Sequence, residues 1–251
     1  MSIAIVIPAR YQSSRFPGKP LAPLKGASGV SKPLIQRAWE AATQVSGVSK
    51  VVVATEDTRI ADAARGFGAD VVMTSDQCEN GTARCYDALD QLGEPEIVVN
   101  LQGDAPLTPP WFVEALIEAM RNGAEVATPV LRCDAETYRN FTEDRKAGRV
   151  GGTTAVFVIP YVGHEITDEE TVPVFHHVGL YAYTPSALRQ YVGWKQGPLE
   201  TLEGLEQLRF LENGTPVQCV EVEAPGRVFW ELNNPVDTPR VEAALAKLGV
   251  D

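Results

Sequence analysis

Ser2-Ile3-Ala4-Ile5-Val6-Ile7-Pro8 is a continuous apolar run stopped by a proline. An apolar run without polar alternation reads as a strand buried on both faces, the kind found in parallel sheets with helices above and below. The same pattern returns at Lys50-Val51-Val52-Val53-Ala54 and at Glu96 to Leu101, with a shorter strand at Asp70 to Met73. Helical spacing lies between them. Leu34, Ile35, Ala38, Trp39 and Ala42 share one face of Lys32 to Gln44, and Asp57 to Gly66 is a helix with Asp57 or Thr58 as its N-cap. Two more helices are expected over Thr82 to Leu92 and from Pro109 or Pro110 to Asn122, where proline suits the first turn. Alternation of this kind predicts an α/β fold: a mainly parallel sheet with right-handed crossovers, flanked by helices. Ligands of such sheets bind beyond the carboxyl ends of the strands, here the loops at 8–20, 55–57, 74–84 and 102–107.

From residue 128 the pattern changes. Thr128 to Leu131, Gly151 to Val158, His177 to Tyr183 and Val217 to Glu223 read as strands, and 162–174 as an acidic loop. Leucines at 202, 205, 208 and 211 predict one helix over Glu200 to Glu212, and Pro239 to Leu248 reads as a closing helix. With no repeat or linker, the expectation is one domain, 1–251. Its parts are a first half (1–127), an inserted β-rich portion (128–223) and a C-terminal segment (224–251).

The chain has 251 residues, a formal net charge of −11 and 44% hydrophobic residues. That is enough apolar surface for a core and the wrong sign of charge for a general nucleic-acid binder. No apolar stretch approaches the ~20 residues of a membrane span, and no signal-peptide pattern appears. Four cysteines without Cys-x-x-Cys spacing, and only three histidines, read as reduced thiols of a cytoplasmic protein, with no zinc site.

Against this acidic background, Pro8-Ala9-Arg10-Tyr11-Gln12-Ser13-Ser14-Arg15-Phe16-Pro17-Gly18-Lys19-Pro20-Leu21 sets three cations, two hydroxyls and a glycine behind the first strand. It is neither a Walker loop nor a dinucleotide glycine motif. Arginine forks and a lysine point charge among small residues suit a polyphosphate. Asn100-Leu101-Gln102-Gly103-Asp104-Ala105-Pro106 puts Asp104 at the sheet's ligand edge, where it is either a turn former or a Mg²⁺ ligand completed by phosphate oxygens. Asp237, in Asn233-Asn234-Pro235-Val236-Asp237-Thr238-Pro239, is by itself an N-cap or a second ligand.

These strings, with His177-Val178-Gly179-Leu180-Tyr181-Ala182-Tyr183, Leu205-Glu206-Gln207-Leu208-Arg209 and Val236-Asp237-Thr238-Pro239, strongly resemble the CMP-Kdo synthetases, the 3-deoxy-manno-octulosonate cytidylyltransferases. The likeness runs from residue 3 to about 245. It implies that CTP and 3-deoxy-D-manno-octulosonate (Kdo) give CMP-Kdo and pyrophosphate, for lipopolysaccharide biosynthesis, in a cytoplasmic homodimer. The β-rich portion would serve sugar binding and dimerisation, with the Tyr/Trp-rich residues 181–194 in the interface. By match to the family motifs, Ala9, Arg10, Ser13, Ser14, Arg15 and Lys19 would bind the triphosphate. Lys19, Arg15, Asp104 and Asp237 would be catalytic, the two aspartates sharing Mg²⁺. Gly81, Thr82 and Arg84 would face the cytosine, and Gln102, His177, Tyr181, Glu206 and Gln207 the sugar.

The sequence departs from the family pattern in four places. Asn80 and Ala83 replace the usual residues of the cytosine loop, and Ala105 replaces a glutamate beside Asp104. Phe157-Val158 runs directly into Ile159-Pro160-Tyr161, where the family carries about a dozen more residues. The loop at Lys25 to Lys32 is longer than usual. Three alternatives follow: another acid (8-amino-Kdo or a nine-carbon ulosonate), CTP binding without turnover, or a nucleotide-sugar glycosyltransferase, for which the usual Asp-x-Asp is missing.

Overall fold

A computed structural model describes residues 1–13, 16–133, 142, 146, 153–156, 174–225 and 231–251. The first half follows the expected alternation. Strands β1 (Ile3–Pro8), β4 (Lys50–Thr55), β5 (Asp70–Met73) and β6 (Ile97–Leu101) lie in the order β5-β4-β1-β6, all parallel. Helices α1 (Leu34–Thr43), α2 (Thr58–Gly66), α3 (Gly81–Asp87), α4 (Leu89–Leu92) and α5 (Pro110–Arg121) connect or flank them. The apolar run of β1 is explained by burial on both sides. Ile3, Ile5 and Ile7 pack with Ile35, Ala38, Phe112 and Leu116 on one face, and Val6 with Val52, Cys85, Tyr183 and Phe210 on the other. Each such side chain contributes roughly 1.5–3 kcal/mol by leaving water. Asp57 caps α2 through the Arg59 N–H, as its position predicted.

Beyond β6 the same sheet continues into the second half. Strand β10 (Leu180–Tyr183) pairs antiparallel with both β6 and β7 (Val126–Arg132). Strand β11 (Gln218–Val222) runs parallel to β7, while β9 (Val174–His177) and β8 (Thr153–Val156) extend the other side. The fold is thus an α/β sheet, parallel in its first half and mostly antiparallel in its second.

Four expectations are corrected. His177 to Tyr183 is two strands, because the chain breaks at Val178–Gly179 and lets β9 and β10 share one edge of β7. Thr82 to Leu92 divides at Ala88 into α3 and α4. The helix expected over Glu200 to Glu212 is two, α7 (Pro198–Glu203) and α8 (Leu208–Glu212), since Gly204 turns left-handed at φ 66°. Its leucines are not the buried face: Leu202 is 78% exposed and Leu211 52%, while Glu200, Gln207, Arg209 and Phe210 are inside. Finally, the tyrosines of 181–194, expected at a surface, are interior. Tyr181, Tyr183 and Tyr191, the last on α6 (Pro185–Gly193), are buried; Tyr183 and Tyr191 pack on Phe210, and Tyr181 stacks on Tyr183.

A hairpin of β2 (Pro23–Lys25) and β3 (Ser31–Pro33), which carries the long loop, was not legible as strands. Buried Arg37 holds it through the carbonyls of Leu24 and Val30. Leu24 and Leu34 join Leu107, Leu232, Val241 and Leu245 in a third apolar cluster, which pins the C-terminal helix α9 (Thr238–Leu248) beside the loop after β6. The segment 157–173, which contains the short junction, lies outside the described residues.

Candidate functional site

The carboxyl ends of β1 and β6 open into a cleft of ≈ 680 Å³. One wall is Arg10, Ser13 and Lys19 from the loop after β1; another is Cys78 to Gly81 with Arg84; the floor is Gln102, Gly103 and Asp104. Gln196, Glu200, Gly204 and Glu206 close it from the second half. Ser14 and Arg15 lie outside the described residues.

The basic loop is shaped by Gly18, whose N–H donates to the Tyr11 carbonyl at 2.9 Å with φ at 70°. A Cβ there would stand 3.2 Å from the Tyr11 ring. Lys19 follows and donates through Nζ to Asp104 Oδ2 at 2.5 Å. Gly103, before Asp104, lies against Ile35 and the Pro8 carbonyl, each 3.1 Å from where a Cβ would be, so the two strand ends approach closely here and a side chain would have to push them apart by a few tenths of an ångström.

Asp237 is placed as a cap. Its Oδ2 accepts the backbone N–H of Asn233 at 3.1 Å and of Asn234 at 2.7 Å, in a capping box at the short helical turn Pro235–Asp237. The acid that faces Asp104 is Glu231, which sequence reasoning missed. Leu232 N–H donates to the Asp104 carbonyl at 2.9 Å and brings its neighbour close to Asp104. Burial first, and then the Asp104 charge, raise the Glu231 carboxyl to about 7, with Lys19 partly opposing. Its Oε1 occupies the space left by Gly179, only 2.6 Å from where a Cβ would be. The break between β9 and β10 therefore makes room for this carboxylate. Nothing local in Phe229-Trp230-Glu231-Leu232 marks it; the signal is tertiary.

In the second wall, Asn80 caps α3 by accepting the Ala83 N–H at 2.9 Å, and its amide donates to the Tyr191 hydroxyl at 2.7 Å. Thr82, fully buried, meets the Tyr183 hydroxyl at 2.9 Å. Arg84 is buried against Glu56 at 2.7 Å and Thr74 at 2.5 Å. It lines the cleft with a fixed guanidinium.

Of the residues expected to face a sugar, Gln102 and Glu206 line the cleft. Glu206 accepts from the Thr82 N–H at 3.5 Å, and burial raises its pKa. Gln207 lies deeper, donating to the Tyr183 hydroxyl at 3.0 Å. Tyr181 is buried, its hydroxyl pushed well above the usual range by burial first and then by Glu206 and Glu231. Its ring centroid is 5.4 Å from that of His177, whose imidazole burial lowers to about 4.

Comparisons with known proteins agree on one family. A family described as Cytidylyltransferase matches residues 4–219. A 3-deoxy-manno-octulosonate cytidylyltransferase of Maricaulis maris is 41% identical, over 99% of both chains. An 8-amino-3,8-dideoxy-manno-octulosonate cytidylyltransferase of Shewanella piezotolerans is 40% identical, over 98% of this chain and 99% of that one. The solved structure of CMP:2-keto-3-deoxy-manno-octonic acid synthetase complexed with CTP superposes with a TM-score of 0.82 at 35% identity. It covers 99% of this chain and 100% of that one.

Proposed function

The chain belongs to the cytidylyltransferase family, and from that premise we propose that it activates Kdo with CTP, releasing CMP-Kdo and pyrophosphate. The observation that carries the reading is the cleft itself. A basic loop and an acidic floor meet at the sheet's carboxyl edge, in a chain that matches a CTP-complexed synthetase from end to end.

In this reaction the anomeric hydroxyl of the sugar acid attacks the α-phosphorus in line. A new P–O bond forms, the bond to the bridging oxygen breaks, and pyrophosphate carries away the charge. The protein needs no nucleophile of its own; it positions two anions and offsets their repulsion. Arg10, Ser13 and Lys19 hold the triphosphate, with Ser14 and Arg15 completing the motif. Gly81, Thr82 and Arg84 frame the base, while Gln102 and Glu206 face the sugar. His177, Tyr181 and Gln207 shape the pocket from behind.

A Mg²⁺ ion fits this site. Two carboxylates facing each other with incomplete compensation, Asp104 and Glu231, suit a hard cation that takes its other ligands from phosphate and water. Among the described residues no group of three or more His, Cys, Asp or Glu side chains could hold a metal alone, so the proposed cation needs ligands from the substrate. When bound, such an ion supplies Lewis acidity to the phosphoryl oxygens and lowers the pKa of a coordinated hydroxyl. We assign Asp237 to holding Asn233 and Asn234, and Glu231 to the cation. The reading includes a homodimer and a cytoplasmic setting; no helix among the described residues is long and apolar enough to cross a membrane.

The test is pyrophosphate release from CTP across a panel of sugar acids. Kdo is expected to be the best substrate. A preference for 8-amino-Kdo, favoured by the Shewanella relatives, would move the reading to that acid. CTP binding without turnover of any acid would overturn it.

A further inference from the structure

Two walls of the cleft, far apart in sequence, meet on one side chain that the chemistry above does not use. Arg209, on α8, is 4% exposed. Its Nε donates to Glu200 Oε2 at 2.7 Å and its Nη2 to Glu200 Oε1 at 2.8 Å. The same Nη2 donates to Glu79 Oε2 at 3.1 Å. Its guanidinium carbon lies 4.3 Å from the centre of the Tyr191 ring, and the Tyr191 hydroxyl accepts the Asn80 amide at 2.7 Å. Glu79 and Asn80 line the cleft from the loop that enters α3, and Glu200 lines it from α7.

We propose that Arg209 is a positioning residue for nucleotide selection: its guanidinium, with the Tyr191 ring stacked on it, fixes Glu79, Asn80 and the start of α3 against the α7–α8 wall, and the preference for cytosine depends on that spacing. The inference deepens the proposed cytidylyl transfer and rests on it. Planar guanidinium geometry is what the arrangement requires. A fork can hold one carboxylate in two bonds and reach a second from one of the same nitrogens, whereas an ammonium offers a point charge without that geometry. The Glu79 arm is exposed and weak by itself. The buried Glu200 pair anchors the guanidinium, and the Tyr191–Asn80 bond transmits its position to the loop.

Calorimetric affinities for CTP and UTP, with steady-state kinetics, test this on the full chain. Tyr191→Phe keeps the ring and the Glu200 pair and removes only the bond to Asn80. It is expected to weaken CTP about fivefold, with kcat within about twofold, and to narrow the CTP-over-UTP ratio. Arg209→Lys should do the same more strongly, about tenfold or more. It also leaves Glu200 poorly paired and can cost the fold, which is why Tyr191→Phe and Glu79→Gln are measured beside it. Lowered melting temperatures with unchanged CTP affinity and CTP-over-UTP ratio in Tyr191→Phe would make the clasp structural only and overturn the proposal. Wild-type protein that binds CTP and UTP equally would overturn it too. Wild-type protein that selects CTP but turns over no sugar acid would defeat the proposed reaction and leave the clasp to be judged on affinity alone.

Discussion

Lys19 Nζ and Asp104 Oδ2 lie 2.5 Å apart and join the loops after β1 and β6, which are 85 residues apart in the chain. Both side chains are about one-fifth exposed, so the pair is neither a free surface bridge nor a sealed one. The Lys19 charge also reaches Glu231 and partly offsets the repulsion between the two carboxylates. The lysine thus stands where positive charge is needed twice, on the acids of the site and on the phosphates it is proposed to receive.

Lys19→Ala should therefore lower kcat by about 10²- to 10³-fold, with a smaller change in sugar KM, because charge on the departing pyrophosphate grows in the transition state. Steady-state kinetics in both substrates check this. A change confined to KM would make Lys19 a ground-state contact.

Glu231 sets a pH dependence whose sign can be worked out. Its folded pKa, about 7, lies above the ordinary 4.5, so the folded protein holds the extra proton more tightly. That stabilisation is complete below about 4.5 and is lost as pH rises through about 7. Metal-free wild-type protein should accordingly lose melting temperature between these values, and Glu231→Gln should lose less. Adding Mg²⁺ should raise the wild-type melting temperature most at the alkaline end and have little effect on the variant. Equal Mg²⁺ stabilisation of both proteins would remove Glu231 from the cation site.

Asp237→Asn separates cap from ligand. Losing the charged acceptor of Asn233 and Asn234 should cost about 1 kcal/mol of stability, read by urea unfolding, while substantial turnover remains. Abolished turnover in a protein of wild-type stability would return Asp237 to the metal.

The half-buried histidines of β9 act in the opposite direction from Glu231. Burial lowers both His176 and His177 from 6.5 to about 4, and for His177 the neighbouring His176 adds to it. Their stabilising contribution is present above 6.5 and lost as pH falls toward 4, up to ~3 kcal/mol per ring. Unfolding free energy should fall across that acidic window, and less steeply in His177→Asn. An unchanged slope in the variant would show that His177 does not titrate there.

How much of this was readable from the residues depends on how local each signal is. Strands β1, β4 and β6 announce themselves, because burial on two faces leaves few polar positions between their ends. Lys19 and Asp104 were legible because each belongs to a motif in the loop that follows such a strand. The α7–α8 region misled. Its leucine spacing looks like a buried stripe, but Gly204 breaks the helix and the polar network of Glu200, Gln207 and Arg209 takes the interior. Asn80 looked like a departure from the cytosine-loop motif, yet it caps α3 as serine would and adds an amide that reaches Tyr191. Glu231 was invisible, since what defines it is a hydrogen bond from the next residue to Asp104, 128 positions earlier (232 − 104).

Gly179→Ala offers the sharpest test of the acidic pair. The glycine sits where β9 and β10 part, and a methyl group there would lie 2.6 Å from Glu231 Oε1. The atom it meets is the end of a flexible side chain, so the fold can accommodate the methyl by moving the carboxylate and leaving the strands in place. Gly179 has no left-handed φ, so alanine adds no backbone strain. The expected result is a protein of nearly wild-type melting temperature whose Mg²⁺ requirement rises at least several-fold and whose turnover falls with it, as in Glu231→Gln. The double variant should be no worse than either single one, because both remove the same carboxylate from Asp104. Additive losses in that cycle would mean that Gly179 and Glu231 act separately, and the space between the two strands would then serve some purpose other than seating this acid.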